Sequence, residues 1–262
     1  MATDASTVTA DPVLAETRGS VLVITLNRPE VRNAVNAALA AGVAGALDQL
    51  DDDDDLSVGV LTGTGGFFSA GMDLGAFVRG ESPWFGDRGF AGIAQRASRK
   101  PLIAAVEGFA VAGGLEVALA CDLVVAAKGA KLGIPEVKRS LVAAGGALRR
   151  LPQRLPLGLV MEMALTGDPI TAERAHELGL VNRLAEPGTA ADVALELAAA
   201  IAKNGPLALE ATKQILQEQH DWSNEDFWAR QGELSGPVFA SEDAREGAVA
   251  FTEKREPQWQ GR

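Results

Sequence analysis

A chain of 262 residues, 47% of them hydrophobic, is long enough for one large domain or a main domain with a smaller appendage, and its core sets disorder aside. The net charge of -11 argues against a nucleic-acid partner, because phosphate binding needs a basic surface, but leaves room for an anionic small molecule held by local cations and helix N-termini. The one cysteine, Cys121, forms no internal disulfide, which fits a reducing compartment, and its apolar neighbours mark a core residue rather than a nucleophile.

Residues 1–12 are polar, with no basic start and no apolar run, so a flexible N-terminus is expected there and a secretory signal is not. No run of about 18 uncharged apolar residues occurs, so no membrane span is expected and the protein reads as cytoplasmic. Residues 13–17 and 21–26 read as paired strands around Arg18-Gly19-Ser20, and Asn27-Arg28-Pro29-Glu30 as a turn. Residues 36–50 read as an Ala-rich amphipathic helix with Val43, Leu47 and Leu50 on one stripe. Asp51 to Asp55 follow; like charges at a helix C-terminus oppose the macrodipole, so the helix is expected to end near Leu50. Without the Asp-x-Asp-x-Asp-Gly pattern, these aspartates read as a solvated acidic loop rather than a calcium site.

Segments 58–62, 102–106 and 123–127 read as further strands, alternating with helical patterns. That alternation predicts an α/β fold with a parallel sheet and crossover helices. After about residue 142 the strand signals nearly stop, and helices are expected to dominate from 147 to 254.

Several familiar site patterns fail. Gly63-Thr64-Gly65-Gly66 follows a strand, but Phe68 stands where a dinucleotide loop needs its third glycine. Ser69, in Phe67-Phe68-Ser69-Ala70-Gly71, lacks the first glycine of a nucleophile elbow. Both histidines, His176 and His220, lie in the late helical half, which leaves a Ser–His triad or a zinc site without support; no metal is expected.

Three segments remain: Ser69-Ala70-Gly71-Met72-Asp73, Gly113-Gly114-Leu115-Glu116 and Gly133-Ile134-Pro135-Glu136. Each alone is explained as an ordinary helix start, with its acidic residue complementing the dipole or its proline at the first helical position. Together they read as a site for thioester chemistry. Helix N-termini offer N–H groups to a developing oxyanion, and the two carboxylates handle protons and an attacking water.

With Leu26-Asn27-Arg28-Pro29, Gly145-Gly146, Leu165-Thr166-Gly167, Gly179-Leu180-Val181-Asn182 and Phe251-Thr252-Glu253-Lys254-Arg255, these segments resemble the crotonase, or enoyl-CoA hydratase/isomerase, family over essentially the whole chain beyond residue 12. The resemblance implies a spiral of ββα units over 13–200, then a helical region over 201–262 used in trimerisation. It implies that Met72 and Gly113 donate their N–H groups to the thioester oxygen and that Glu116 and Glu136 are catalytic. Hydratases carry both glutamates and isomerases often only the second, so hydration of a trans-2-enoyl-CoA to a 3-hydroxyacyl-CoA is implied. The alternatives are an isomerase using Glu136 alone, a dehydration-direction or branched-acyl specialist, which the motifs fit equally, and a non-catalytic acyl-CoA binder.

The implied CoA contacts are Arg28, Arg32, Ala70, Asp73, Leu74, Phe239 and Lys254, of which Arg32 reads equally as a solvated loop cation. Trp84, Phe85 and Phe90 are expected in the acyl-pocket wall. CoA enters as part of the substrate, with no further cofactor. Two departures bear on substrate range: Met72 stands where alanine is common, and Ser140-Leu141-Val142-Ala143-Ala144 replaces a segment that commonly carries Gly and Pro. Apolar residues on the late helices (Val160, Met161, Met163 and Leu165; Leu207, Leu209, Ile215 and Leu216) fit the homotrimer or hexamer that the resemblance implies.

Overall fold

A computed structural model describes residues 11–262, so most of the N-terminal segment expected to be flexible lies outside the described residues. The first two strands, β1 (Val13–Arg18) and β2 (Val21–Leu26), pair antiparallel as expected. Helix α1 (Ala37–Asp52) starts where the Asn36 side chain accepts the Leu39 N–H at 3.0 Å. It overruns its expected end by two aspartates, and the reason is local. The Asp51 carboxylate accepts from the Ser98 hydroxyl at 2.6 Å and the Arg99 N–H at 2.8 Å. Arg88, fully buried, pairs with Asp48 at 2.5 Å. These partners offset the unfavourable dipole, so this end of the acidic run is anchored rather than solvated.

The chain continues through β3 (Val58–Gly63), α2 (Leu74–Val78), β4 (Trp84–Phe85), β5 (Gly89–Phe90), β6 (Leu102–Val106), β7 (Phe109–Val111), α3 (Gly113–Ala120), β8 (Leu123–Ala127) and β9 (Lys131–Gly133). A 3-10 turn over Pro135–Arg139 stands where the proline-marked start suggested a helix. Then come α4 (Ala147–Arg154), α5 (Leu157–Thr166), β10 (Ile170–Thr171), α6 (Ala172–Glu177), β11 (Arg183–Ala185), α7 (Ala190–Ile201), α8 (Pro206–Glu218), α9 (Asn224–Ala240) and α10 (Glu242–Glu253).

The main sheet has the order β1-β2-β3-β6-β8-β11 and is parallel from β2 onward. Successive side chains of a strand face opposite sides, and the two cores follow that period. Leu61, Leu102 and Ala104 join Leu39, Val43 and Leu47 of α1 on one face. Val58, Val60, Ile103 and Val125 meet Ala190, Ala194 and Ala198 of α7 on the other, where the alanines let the helix lie close. A second sheet, β10-β9-β7, stands beyond the C-terminal ends of β6 and β8 and carries the starts of α3 and of the 3-10 turn. Val160 and Met163 of α5 are buried in this chain's own core, whereas Met161 and Leu165 are exposed. Among the described residues, α8 and α9 bury no side chain fully, and no helix is long and apolar enough to cross a membrane.

Candidate active site

The Ser69–Asp73 turn is built by hydrogen bonds that use nearly every polar group in it. The buried Ser69 hydroxyl donates to the Asn33 carbonyl at 2.8 Å and accepts the Gly71 N–H at 3.1 Å. Val35 donates to the Gly71 carbonyl at 2.7 Å, and Asp73 donates to the Val35 carbonyl at 2.9 Å. Met72 lies between these two bonds, so its N–H stays out of the ladder. Gly71 has φ +89°, and a Cβ there would sit 2.7 Å from the Gly113 nitrogen. A side chain is thus excluded where the turn meets the start of α3, whose first N–H groups have no intrahelical acceptor.

Ala112, immediately before α3, holds φ 51° and ψ -132°, a conformation costly for any residue with a Cβ. The strain is held by three bonds. Its N–H donates to the Gly133 carbonyl at 2.9 Å, and its carbonyl accepts from Leu115 and Glu116 at 2.9 and 3.2 Å. The first of these ties the start of α3 to the end of β9, and so to Glu136.

Glu116 is 3% exposed, and its Oε1 accepts the Ala147 N–H, at the start of α4, from 3.1 Å. Burial pushes its carboxyl above the usual range, while the N–H groups of Ala147, Gly145 and Gly146 and the Arg150 cation pull against that rise. Gly145 packs directly on it; a Cβ would come within 2.6 Å of Oε2. Glu136 has no such cradle. Its buried Oε2 is without a hydrogen-bond partner among the described residues. Burial, opposed by its own N–H and reinforced by Glu116, pushes it up to about 7. Near neutral pH this environment favours one ionised and one protonated carboxyl, titrating as a pair.

Met72, Gly113, Glu116 and Glu136 line one cavity of about 430 Å³. Ala70, Leu74, Trp84 and Phe90 line it as well, the last two packed edge to face with centroids 5.2 Å apart. Phe85 does not: it lies on the exposed strand of the β4–β5 hairpin. Phe77, Leu141 and Val142 complete the apolar wall, and Lys138 and Arg139 add cations. The sequence reading missed these five as lining residues, although the unusual 140–144 segment was the signal for two of them.

The expected CoA contacts divide. Arg28 and Asp73 are engaged with each other at 3.1 Å; Arg28 also donates to the Ala34 carbonyl at 2.6 Å, and Asp73 accepts the Ala76 N–H at the start of α2. Burial raises the Asp73 carboxyl, but Ala76 and Arg28 outweigh it and leave it below the ordinary range. These bonds engage both side chains and leave the Asp73-Leu74 backbone, the part expected beside the adenine, to line the cavity edge at Leu74. Arg32 is exposed, at φ 57°. Phe239 is exposed on α9 and Lys254 just beyond α10, and neither lines this chain's cavity.

The profile of the enoyl-CoA hydratase/isomerase family matches residues 16–262. The enoyl-CoA hydratase EchA19 of Mycobacterium tuberculosis is 42% identical, covering 98% of this chain and 100% of that protein. A carnitinyl-CoA dehydratase of Salmonella arizonae is 43% identical over 93% of this chain and 96% of its own length. Among solved structures, an enoyl-CoA hydratase from Mycobacterium tuberculosis H37Rv superposes with a TM-score of 0.95 at 58% identity, covering 97% of this chain and 100% of that one. A sheet, helix starts and paired carboxylates so arranged, in a chain matched at this identity along its length, leave one assignment: the fold is the crotonase fold, and the chain belongs to the enoyl-CoA hydratase/isomerase family.

Proposed function

We propose that this chain, a hydro-lyase of the enoyl-CoA hydratase type, adds water syn across the 2,3 double bond of a trans-2-enoyl-CoA to give a 3-hydroxyacyl-CoA. The observation that carries the reading is the unequal pair: Glu116 cradled by backbone donors and Glu136 with an orphaned, buried oxygen, on one cavity. Glu116 takes a proton from water as the oxygen attacks C3. The π electrons move to the thioester oxygen, where the Met72 and Gly113 N–H groups receive the charge; one such donor is worth about 2.7–4 kcal/mol in a transition state. Glu136 then delivers its proton to C2, and proton exchange between the two carboxyls restores the starting state. No resident cofactor is needed for any of these steps.

An isomerase would need only Glu136, and the donors converging on Glu116 would then serve no chemical step. That favours hydration. The dehydration direction with a quaternary-ammonium acyl group, suggested by the carnitinyl-CoA dehydratases, finds support in the Trp84, Phe90 and Phe77 faces, which suit a cation. Against it stands Arg139 on the same wall, which has no carboxylate partner among the described residues, whereas the Lys138 charge is paired with Asp168 at 2.5 Å. A neutral enoyl chain is the better match. Incubation with enoyl-CoA thioesters of several lengths and with a trimethylammonium-bearing one, followed by loss of the conjugated-enoyl absorbance, tests the ranking. Turnover of the cationic substrate alone would reverse it.

For CoA itself, the reading keeps Arg32 as the phosphate contact, with Ala70 and the Asp73-Leu74 backbone bordering the nucleotide, and assigns Phe239 and Lys254 to a neighbouring subunit's site in a trimer or a pair of trimers. Arg28 and Asp73 shape the loop that presents Arg32.

A further inference from the structure

Two cavities share the Ala144–Gly145 wall. The front one holds the two glutamates; the rear one, of about 720 Å³, is lined by Arg149, Arg150, Arg154 and His220. Two of its arginines have evident employment. Arg149 pairs with Asp221 at 2.8 Å, and Arg154 donates to the Leu119 and Cys121 carbonyls at 3.1 and 3.2 Å, closing the C-terminal end of α3.

Arg150 is different. Its guanidinium donates to the Ala94 carbonyl at 2.6 Å and, more weakly, to the Gly145 carbonyl at 3.4 Å. It lies so close behind the turn that a Cβ on Gly146 would come within 2.1 Å of its Nη1, while Glu116 presses on Gly145 from the front. Ala94 belongs to the segment of the acyl wall, its N–H bonded to the Phe90 carbonyl at 3.0 Å. The side chain therefore joins the wall that shapes the acyl pocket to the turn that holds the Glu116 carboxylate. A half-buried guanidinium bonded only to carbonyls keeps its charge without a carboxylate to spend it on. Glu116 is the anion across the turn. The other charged or titratable groups around the turn are Glu136 on the 3-10 segment, Arg149 and Arg154 on α4, Cys121 at the end of α3 and His220 after α8.

We propose that Arg150 is a positioning residue for Glu116: it clamps the Gly145–Ala147 turn that cradles the carboxylate and supplies the positive charge that keeps Glu116 the ionised, water-deprotonating member of the pair. The inference rests on the hydration reading. Its test is the pH profile of kcat/KM for enoyl-CoA hydration in Arg150→Met and Arg150→Lys, beside thermal unfolding. Arg150→Met should lower kcat at least about tenfold with KM changed by less than about threefold. It should also move the acid limb of the profile to higher pH. Arg150→Lys, which retains the cation but not the fork, should keep the limb at its wild-type position with an intermediate kcat. Should Arg150→Met not fold, Arg150→Gln, which keeps one donor for Ala94, carries the same expectation. An acid limb unmoved in the neutral variant, or displaced equally in Arg150→Lys, would overturn the proposal and leave Arg150 a packing residue. A wild-type enzyme that hydrates no enoyl-CoA would overturn the reaction and this inference with it; one that hydrates while the variants behave otherwise than stated sinks only the role of Arg150.

Discussion

Two carboxylates that share a cavity repel each other's charge, and what separates them is the supply of donors. Glu116 receives the Ala147 N–H and the neighbouring amides, while Glu136 has an oxygen with no partner. The proton should therefore sit on Glu136, whose carboxyl is raised from 4.5 to about 7. In the proposed mechanism Glu136 gives the C2 proton, so hydration should decline as pH rises through that value. The same shift has a stability consequence. Glu136 binds its proton more tightly folded than unfolded, so its contribution is full below 4.5 and is lost as pH rises through about 7. Glu136→Gln should then raise the melting temperature at about pH 8 and leave it nearly unchanged at about pH 4, and calorimetry at the two values checks the sign. In activity, Glu116→Gln and Glu136→Gln should each cost several orders of magnitude, and the double variant little more than either, if both handle one water as proposed. Wild-type hydration by Glu116→Gln with a dead Glu136→Gln would instead mark an isomerase. The two acidic side chains were legible in the sequence as residue types at helix starts. Their division of roles came only with the family resemblance, because the main-chain amides at residues 145–147 that make them unequal are encoded by no side-chain pattern.

The proposed oxyanion site is a property of how two elements meet, and glycine decides whether they can. Gly71→Ala would require φ +89° of an alanine and drive its Cβ against the Gly113 nitrogen and the Ala112 side chain. The strain should cost about 1–3 kcal/mol of stability. Loss of one donor's alignment should lower kcat by about a hundredfold or more. Ala112→Gly is the counterpart with the opposite sign. It relieves a Cβ at φ 51° and ψ -132°, so the melting temperature should hold or rise despite the entropy that glycine adds to the unfolded chain. A marked drop in melting temperature for Ala112→Gly would show that the Ala112 methyl group, packed against Gly71, matters more than the backbone strain. At this scale β2, β3, β6 and β8 were readable from their apolar runs to within a residue, whereas the edge strand β11, three residues long, was missed in a stretch expected to be helical. The ends of α1 and of the segment after Pro135 were not. Asp51 found partners 47 and 48 residues away, at Ser98 and Arg99, which extended a helix that its own charges should have stopped. The turn after Pro135 stays 3-10 and ends at Ser140 in the left-handed region, with φ 57°.

For the molecule as a whole, the unresolved question in the packing is why so much apolar surface stays outside. Trp228, Phe239 and Phe251 are 73%, 82% and 85% exposed, on helices α9 and α10, and Leu216 on α8 is 61% exposed. Isolated apolar residues at a surface are ordinary, but two long helices with no fully buried side chain gain little from their own chain. Burying such faces against symmetry-related copies supplies what the single chain does not. The sequence showed the apolar faces of the late helices but not which of them the chain's own core would take: α5 gives Val160 and Met163 inward and leaves Met161 and Leu165 out. We expect a particle of three-fold symmetry, a trimer or a pair of trimers, by light scattering at micromolar concentration. Trp228→Glu and Phe239→Glu should shift it toward monomer, because a charge in a closing apolar interface has no water to hold it. Lys254→Ala, at an exposed position beyond α10, should leave the assembly intact and weaken CoA binding in a salt-dependent way, since a lysine reaching a neighbour's phosphates acts through screened charge. A monomer that retains full activity and binds CoA equally well with and without Lys254 would remove both the assembly and the reach across it.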